Sequence, residues 1–252
     1  MPPDTVALLY LDLGPIRVNA FDISITRLVG TFGRLPGFDS GPLRVHPMTD
    51  AARRQYDRAA LNYDHRWSWY VQRTLDLVEA KAAIRPNDRV LDVACGTGAF
   101  VERLVSANPE QFVVGVDVSN GMLAQARDKL GDHPKVHFVE ASAEALPFDT
   151  GSFAVVVSAS SFHYFQDPEA ALTEMSRVLR PGGRLVLLDW DRGRWWMRLL
   201  DATLRVFDRA HERAFTSEEM LRMVGESGFT RMSVESVRLG VWGMAVVEGV
   251  KR

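Results

Sequence analysis

The chain has 252 residues, 46% hydrophobic and 25% charged, which is typical of a globular protein with one large core. A formal net charge of −2 at pH 7 and the lack of a convincing basic patch argue against a nucleic-acid partner. The single cysteine, Cys95, cannot form an internal disulfide, and no Cys/His cluster has zinc-binding spacing, so we expect a cytoplasmic protein without a metal site.

The first segment, residues 1–47, mixes prolines and glycines without any sustained helical or strand period, and we predict a poorly ordered extension. Asp4 stands where a signal peptide would carry basic residues, and no apolar run approaches the roughly 20 residues that span a bilayer. We therefore expect neither export nor a membrane span. Residues 48–86 show apolar and aromatic residues near helical spacing, which predicts an N-terminal helical cap.

From residue 87 onward, short β-branched runs alternate with helical stretches. This alternation predicts a doubly wound α/β fold, with a mostly parallel, seven-stranded sheet and helices on both faces. The strands are predicted at 89–94, 112–118, 136–140, 154–159, 184–189, 232–238 and 244–250, and the intervening helices at 99–107, 121–130 and 168–179. Ser119 is a predicted helix N-cap, and Pro181-Gly182-Gly183 a turn before the fifth strand.

A helical insertion near 192–228 interrupts the domain that we assign to residues 87–252. Its first part, 195–207, is amphipathic and rich in tryptophan, and a second helix begins at Thr216. The apolar stripe favours a core or lid role. Arginines beside it would suit an anionic interface, which leaves a peripheral membrane contact as the alternative: Arg192, Arg194, Arg198, Arg205 and Arg209.

The strongest local motif is Val90-Leu91-Asp92-Val93-Ala94-Cys95-Gly96-Thr97-Gly98, a buried strand that ends in a turn of small residues and opens a helix. Such a turn lets a ligand approach the backbone, and the helix offers unpaired N–H groups. Asp117 follows about 20 residues later at the end of the next strand, where a carboxylate can accept hydrogen bonds from both hydroxyls of a ribose. The pattern therefore indicates a nucleoside-containing ligand.

Two other nucleotide-binding motifs do not fit. A dinucleotide fingerprint needs a small residue three positions after Gly98, where this chain has Val101. A phosphate-binding loop would need Gly-Lys-Ser/Thr, which is absent. A nicotinamide oxidoreductase would rest on shared architecture alone.

Five segments in order make the chain resemble class I S-adenosylmethionine-dependent methyltransferases, in the branch related to ubiquinone and menaquinone biosynthesis enzymes. The similarity covers roughly residues 50–250. The segments are Leu91-Asp92-Val93-Ala94-Cys95-Gly96-Thr97-Gly98, Gly115-Val116-Asp117-Val118-Ser119, Ala141-Ser142-Ala143-Glu144-Ala145-Leu146-Pro147-Phe148, Ser161-Phe162-His163-Tyr164-Phe165 and Val178-Leu179-Arg180-Pro181-Gly182-Gly183.

The resemblance implies S-adenosyl-L-methionine as the cofactor. The turn 94–98 would hold the methionine moiety, Asp117 the ribose, and Val118 with Met122 the adenine. The implied cofactor-binding residues are Asp92, Ala94, Gly96, Thr97, Gly98, Asp117, Val118, Met122, Ser142, Ala143 and Ser158. Ser158 would lie near the sulfonium.

Three positions depart from the family pattern. Ala94 replaces a glycine, which costs little if φ is below zero there. Ser142 stands where aspartate is frequent, so one adenine contact would be weaker or water-mediated. Ala154 replaces an aspartate that makes a structural hydrogen bond.

Aromatic and basic residues near the predicted site give the acceptor-side candidates. His163 follows the fourth strand and is the candidate general base, with a structural role as the alternative, and Tyr164 shares its loop. Tyr56 and Tyr63, seven residues apart on a predicted helix, would cap the cofactor or anchor the helix to the core. Trp195 is a candidate lid residue.

We therefore expect methyl transfer to a small-molecule acceptor, such as a quinone precursor, a lipid-like compound or another metabolite. Two alternatives remain: a phospholipid amine methyltransferase, and a non-catalytic S-adenosylmethionine-binding partner subunit. Arsenite methylation needs several cysteines, so Cys95 alone excludes it.

Overall fold

The computed structural model describes residues 49–207 and 211–252. The predicted extension 1–47 and Arg209 lie outside the described residues. Seven strands form one sheet in the order β3-β2-β1-β4-β5-β7-β6. They are β1 (Val90–Val93), β2 (Val113–Asp117), β3 (Val136–Glu140), β4 (Phe153–Ala159), β5 (Leu179–Trp190), β6 (Phe229–Leu239) and β7 (Trp242–Lys251).

Strands β1 to β5 are parallel, and β7 pairs antiparallel with both β5 and β6. All residues of β1 and β2 are buried, because helices cover both faces of the sheet. The doubly wound, mostly parallel fold predicted from the sequence is confirmed.

The described residues form six α-helices: α1 (Thr49–Ala82), which precedes β1, α2 (Ala99–Ala107), α3 (Asn120–Leu130), α4 (Pro168–Val178), α5 (Trp195–Phe207) and α6 (Ser217–Glu226). One face of the sheet packs its apolar side chains with α1 and α2, and the other packs with α4 and α6. Val90 and Leu91 point to opposite clusters, as the twofold period of a strand requires.

Helices α3 and α6 each begin directly after a residue whose side chain caps the helix. Ser119 Oγ accepts a hydrogen bond from Met122 N at 3.1 Å, as predicted. At α6, Thr216 Oγ1 accepts from Glu219 N at 3.1 Å while the Glu219 carboxylate accepts from Thr216 N at 2.8 Å, a reciprocal capping box.

The fifth strand differs from the prediction. The sequence placed a turn at 181–183 and a strand start at residue 184, whereas β5 begins at Leu179, which pairs with Phe153. The register with β4 then shifts, so that Arg184 pairs with Val155, and Gly182 takes φ of 73°. The glycines therefore form an irregularity inside β5 and do not mark its start, because Leu179, which precedes them, already pairs with Phe153 of β4.

No helix in the described ranges is long and apolar enough to cross a bilayer.

Candidate functional site

A cavity of about 110 Å³ opens at the carboxyl ends of β1, β2 and β4, between the sheet and α1. This edge is where ligands bind in open α/β sheets. Ten of the candidates named from the sequence line it: Tyr56, Tyr63, Ala94, Gly96, Asp117, Val118, Met122, Ser142, Ala143 and Tyr164.

The turn after β1 repeatedly enters the left-handed backbone region. Gly96 has φ of 54°, and a Cβ on it would meet nothing within 4 Å, so its backbone faces open space. Ala94 has φ of 60°. The expectation that φ at Ala94 lies below zero is therefore wrong, and the alanine occupies a conformation that favours glycine.

Asp117, at the end of β2, places a buried carboxylate on the cavity wall. Its oxygens accept hydrogen bonds from Gly96 N at 2.8 Å and from Ser119 N at 2.9 Å. These bonds fix the carboxylate between the two strand ends and leave a lone pair on each oxygen. Burial is the main cause of a raised pKa at Asp117, which the backbone donors oppose.

Asp92 lies behind the same turn and is only 4% exposed. Burial, followed by repulsion from Asp117, raises the pKa of Asp92 to about 7. The two carboxyl groups repel each other, and this repulsion favours the protonated form of Asp92. Asp92 does not line the cavity itself.

Cys95 is buried, and burial raises the pKa of its thiol well above the usual value. A Cβ on Gly115 of β2 would lie 2.8 Å from Cys95 Sγ, so the thiol fills space left by a glycine. The side chain therefore packs as a small apolar group and stays protonated at neutral pH.

Two other residues of the turn, Thr97 and Gly98, contact neighbouring elements of the fold instead of the cavity. Thr97 is 3% exposed and donates from Oγ1 to Asp64 Oδ1 at 2.5 Å. A Cβ on Gly98 would approach Ala126 Cβ to 3.1 Å, so Gly98 allows the start of α2 to pack closely against α3. Neither residue lines the cavity, because both face the neighbouring helices.

An aromatic cluster covers one side of the cavity. The ring centroids of Tyr56 and Tyr63 on α1 lie 6.0 Å apart, and Tyr56 meets Tyr164 at 5.5 Å, both edge to face. The seven-residue spacing thus brings both α1 rings to one wall, as predicted. Burial, with Asp117 and Asp64 nearby, raises the pKa of Tyr63 to about 12, so its hydroxyl stays neutral.

Helix α1 is held over the cavity by two carboxylates that the sequence reasoning missed. Asp57 Oδ1 accepts from Ser119 Oγ at 2.7 Å and from Gly121 N at 2.8 Å, at the start of α3. Asp64 accepts from Thr97 and from Lys129. A signal was present, since each acid directly follows a lining tyrosine in the Tyr-Asp-x-x-Ala-x-x-Tyr-Asp pattern.

His163 lies behind the cavity wall, not on it. It is 2% exposed, its Nδ1 lies 2.5 Å from Asp189 Oδ1, and its Nε2 is buried with no hydrogen-bond partner among the described residues. Its ring stacks on Trp190 at 4.1 Å and contacts the lining residue Tyr164 at 4.1 Å. The geometry gives a carboxylate-oriented imidazole with a free nitrogen, separated from the cavity by Tyr164.

Ser158, expected beside the ligand, is fully buried, and its Oγ lies 2.9 Å from Ser161 Oγ. Ser161 reaches the cavity instead. Ser142 lines the cavity and hydrogen-bonds to the Glu144 carboxylate, so a neighbouring acid partly restores the missing aspartate. Trp195 is 73% exposed on α5 and lies away from the cavity.

The sequence analysis missed several lining residues at the carboxyl end of β4 and the loops beside it. They are Ala141, Glu144, Ala159, Ser160, Ser161, Phe165 and Gln166. Four of them, Ala141, Glu144, Ser161 and Phe165, lie in the motif segments quoted above, so the motifs identified these loops but not which of their residues line the cavity. Across the described ranges, no group of His, Cys, Asp and Glu side chains could hold a metal ion.

Proteins with similar sequences are methyltransferases. Residues 91–187 match the family described as "Methyltransferase domain". A demethylmenaquinone methyltransferase of Thermus thermophilus is 44% identical over 128 residues, 50% of this chain and 55% of that protein. A ubiquinone/menaquinone biosynthesis C-methyltransferase of Hahella chejuensis is 40% identical over 116 residues, 44% of this chain and 47% of that protein. The chain thus spans about half the length of the curated relatives it matches.

A solved structure extends the fold comparison. The phosphoethanolamine N-methyltransferase 2 of Haemonchus contortus, in complex with S-adenosyl-L-methionine, superposes with a TM-score of 0.69 at 16% identity. The superposition covers 82% of this chain and 60% of that chain. At this identity the likeness concerns the fold alone.

Proposed function

Because the chain carries a class I S-adenosylmethionine-dependent methyltransferase domain, distantly related to the ubiquinone and menaquinone C-methyltransferases, we propose that it transfers a methyl group to a small-molecule acceptor. The observation that carries the proposal is the pairing of Asp117 with the open turn at Gly96 on one cavity wall.

The residues present fit the cofactor of this family, S-adenosyl-L-methionine. The Asp117 carboxylate, with a lone pair free on each oxygen, suits the two hydroxyls of a ribose. The open space above Gly96 suits the methionine moiety, and Val118 with Met122 offers an apolar wall for the adenine. The tyrosine rings suit a sulfonium cation.

When bound, the sulfonium supplies an already activated methyl group. The chain's own task is then to hold an acceptor atom in line with that methyl group and to exclude water. Positioning of this kind contributes roughly 7–11 kcal/mol to lowering a barrier. Tyr56, Tyr63 and Tyr164, which form the apolar side of the cavity, are the residues that we assign to this task.

An acceptor that must lose a proton needs a base, and we assign that role to His163. Asp189 orients the ring through Nδ1 and leaves Nε2 as the proton-accepting atom. A base of this kind contributes about 10²–10⁴-fold in rate. Since Tyr164 separates the ring from the cavity, His163 works only if that side chain or a water carries the proton between them.

The lining favours an aromatic or lipid-like acceptor, for which a quinone precursor is our proposal. Its evidence is the tyrosine cluster and the names of the relatives, whose acceptors are quinone precursors by description. A phospholipid amine is a less fitting acceptor, because the cavity lining has no phosphate-binding arginine or lysine.

Calorimetry with S-adenosylhomocysteine tests the cofactor assignment. We expect wild-type protein to bind it, the Asp117→Ala variant to bind at least about tenfold more weakly, and NAD to give no signal. Failure of the wild type to bind S-adenosylhomocysteine would overturn the proposal.

A metabolite extract supplied with isotope-labelled S-adenosylmethionine tests the transfer itself. We expect a product heavier than its precursor by one labelled methyl group, absent with the Asp117→Ala variant. Cofactor binding without any labelled product from extracts or from demethylated quinones would instead support the non-catalytic partner subunit.

A further inference from the structure

Helix α5 exposes an apolar face that nothing in the described structure covers. Trp195, Leu199 and Val206 are 73%, 64% and 74% exposed, and Ala202 between them is exposed too. At 100° per residue these four positions lie within a narrow arc, opposite the buried Met197 and Leu204. We call Trp195, Leu199, Ala202 and Val206 the α5 outer face.

The α5 outer face continues onto the tip of the β6–β7 hairpin and onto α1. Trp196 packs against Trp195 with ring centroids 5.9 Å apart, and its Nε1 donates to the Val241 carbonyl at 3.1 Å. Val241 is 65% exposed. A Cβ on Gly240 would lie 3.4 Å from the ring of Trp69, which is itself 55% exposed. Helix α5, the tip of the β6–β7 hairpin and α1 thus together present one continuous apolar surface.

Unpaired cations surround this surface. The guanidinium groups of Arg194 and Arg238 lie 5.2 Å and 5.7 Å from the Trp196 ring, and Arg198 is exposed on the edge of α5. None of the three forms an ion pair with a carboxylate of the described residues, whereas Arg192 pairs with Glu219. The surface is therefore apolar at its centre and positively charged at its rim.

The surface lies at the same edge of the sheet as the cavity. Helix α5 follows the carboxyl end of β5, and the β6–β7 hairpin turns at that end because β7 is antiparallel to β5. A molecule leaving this surface would thus meet the edge at which the cavity opens.

We propose that this surface binds an anionic lipid bilayer. Tryptophan favours the water–lipid interface, where its apolar ring is buried and its N–H can reach a polar group. Arginines beside it meet anionic headgroups, and each basic residue near such a surface strengthens binding about fivefold. Two copies that met through this surface would bring their rim arginines together, and this like-charge repulsion opposes self-association.

Co-sedimentation of the full chain with vesicles tests the proposal. One set holds phosphatidylglycerol and phosphatidylcholine in equal amounts, the other phosphatidylcholine alone. We expect binding to the first set to be stronger and to weaken with added salt. The variant Trp195→Ser/Leu199→Ser loses at least about tenfold in partition constant, and the variant Arg194→Gln/Arg198→Gln about as much or more.

Matched controls lie at the opposite edge of the sheet. Met232→Ser removes an exposed apolar side chain from β6, and Lys135→Gln removes a cation just before β3. Both should bind vesicles like the wild type. All variants keep residues 1–48, so a contribution from that segment cancels in the comparison.

Equal vesicle binding by the wild type and the Trp195→Ser/Leu199→Ser variant overturns the proposal, as does indifference to phosphatidylglycerol. Sedimentation velocity identifies the rival occupant: a wild-type dimer that the same variant converts to monomer makes this surface an interface between two copies. Binding of S-adenosylhomocysteine, measured in parallel, separates this result from the fate of the methyl-transfer proposal.

Discussion

Ala94 keeps a β-carbon at a backbone position with φ of 60°, in the turn that forms the cavity floor. A residue other than glycine in the left-handed region costs roughly 1–2 kcal/mol, while glycine costs about 0.5–1 kcal/mol in extra entropy of the unfolded chain. We therefore expect Ala94→Gly to stabilise the protein by about 1 kcal/mol or less. Urea unfolding would show a higher midpoint with an unchanged slope.

The matched control for Ala94 is Ala124, an exposed residue in the interior of α3. Ala124→Gly should destabilise the protein by about 1 kcal/mol. Loss of stability in both variants to the same degree would show that the left-handed conformation at Ala94 carries no strain.

Asp92 couples folding stability to pH. Its pKa is about 7 in the folded protein and about 3.9 in an unfolded chain, so the folded state holds the proton more tightly. The contribution of Asp92 to stability is fully present below pH 4 and is lost as pH rises through 7. Asp92→Asn removes the ionisation, so its melting temperature minus that of the wild type should rise between pH 5 and pH 8.

The exposed carboxylate Asp76 serves as the control for this pH series, because it lies on the surface of α1. The melting temperature of Asp76→Asn relative to the wild type should stay nearly constant. A constant difference for Asp92→Asn as well would contradict the raised pKa.

Replacing His163 tests the proposed role in proton transfer separately from cofactor binding, because its ring lies outside the cavity wall. We expect His163→Ala to lower kcat by about 10²-fold or more and to leave the affinity for S-adenosylhomocysteine nearly unchanged. If His163 only packs against Trp190, the variant loses thermal stability while its remaining folded fraction keeps the wild-type kcat.

Among the secondary-structure elements, α1 has the clearest mechanical role, since Asp57 and Asp64 tie it across the cavity. Removing charge-assisted hydrogen bonds at both sites should let α1 open more often. We expect Asp57→Ala/Asp64→Ala to release S-adenosylhomocysteine about tenfold faster in stopped-flow displacement. Amide exchange in the first half of α1 should accelerate as well.

Asp76→Ala is the control for the α1 ties, because Asp76 pairs with Arg103 of α2 beyond the cavity. It should leave the release rate unchanged. Equal acceleration in the control would show that α1 loosens as a whole and that the two cavity-side acids have no special role.

Elements defined by local chemistry could be predicted from the sequence, and those defined by tertiary pairing could not. The helix start at Ser119 and the five parallel strands follow from capping and from β-branched runs. The early start of β5 depends on Leu179 pairing with Phe153, a residue 26 positions away, so the glycines that follow looked like a strand boundary.

The same division applies to the site. The turn at Gly96 and the carboxylate of Asp117 belong to short motifs, and the sequence placed both on the cavity wall. The position of His163 depends on Asp189 and Trp190 of β5, which hold its ring behind the residues that line the cavity. The motif therefore predicted where the loop lies, but not the direction in which the His163 side chain points.

For the molecule as a whole, a ligand in the cavity should join α1 to the sheet, since both contribute to its lining. A ligand that binds only the folded state stabilises the protein by about 2.7 kcal/mol when its free concentration is about 100 times its Kd. For a domain of this size that corresponds to roughly 5–10 °C in Tm. We expect S-adenosylhomocysteine to give such a shift in a thermal melt of the wild type and a smaller shift with the Asp117→Ala variant at the same ligand concentration, and NAD to give none.

The strand order carries a consequence for biosynthesis. β7 is made after every other strand of the described chain, yet it lies inside the sheet between β5 and β6. While residues 242–251 are still within the ribosome, β6 has no neighbour and the edge of β5 is bare. The nascent chain can therefore assemble β1 to β5 first, and the hairpin docks onto that half-sheet as a unit only after synthesis has passed β7.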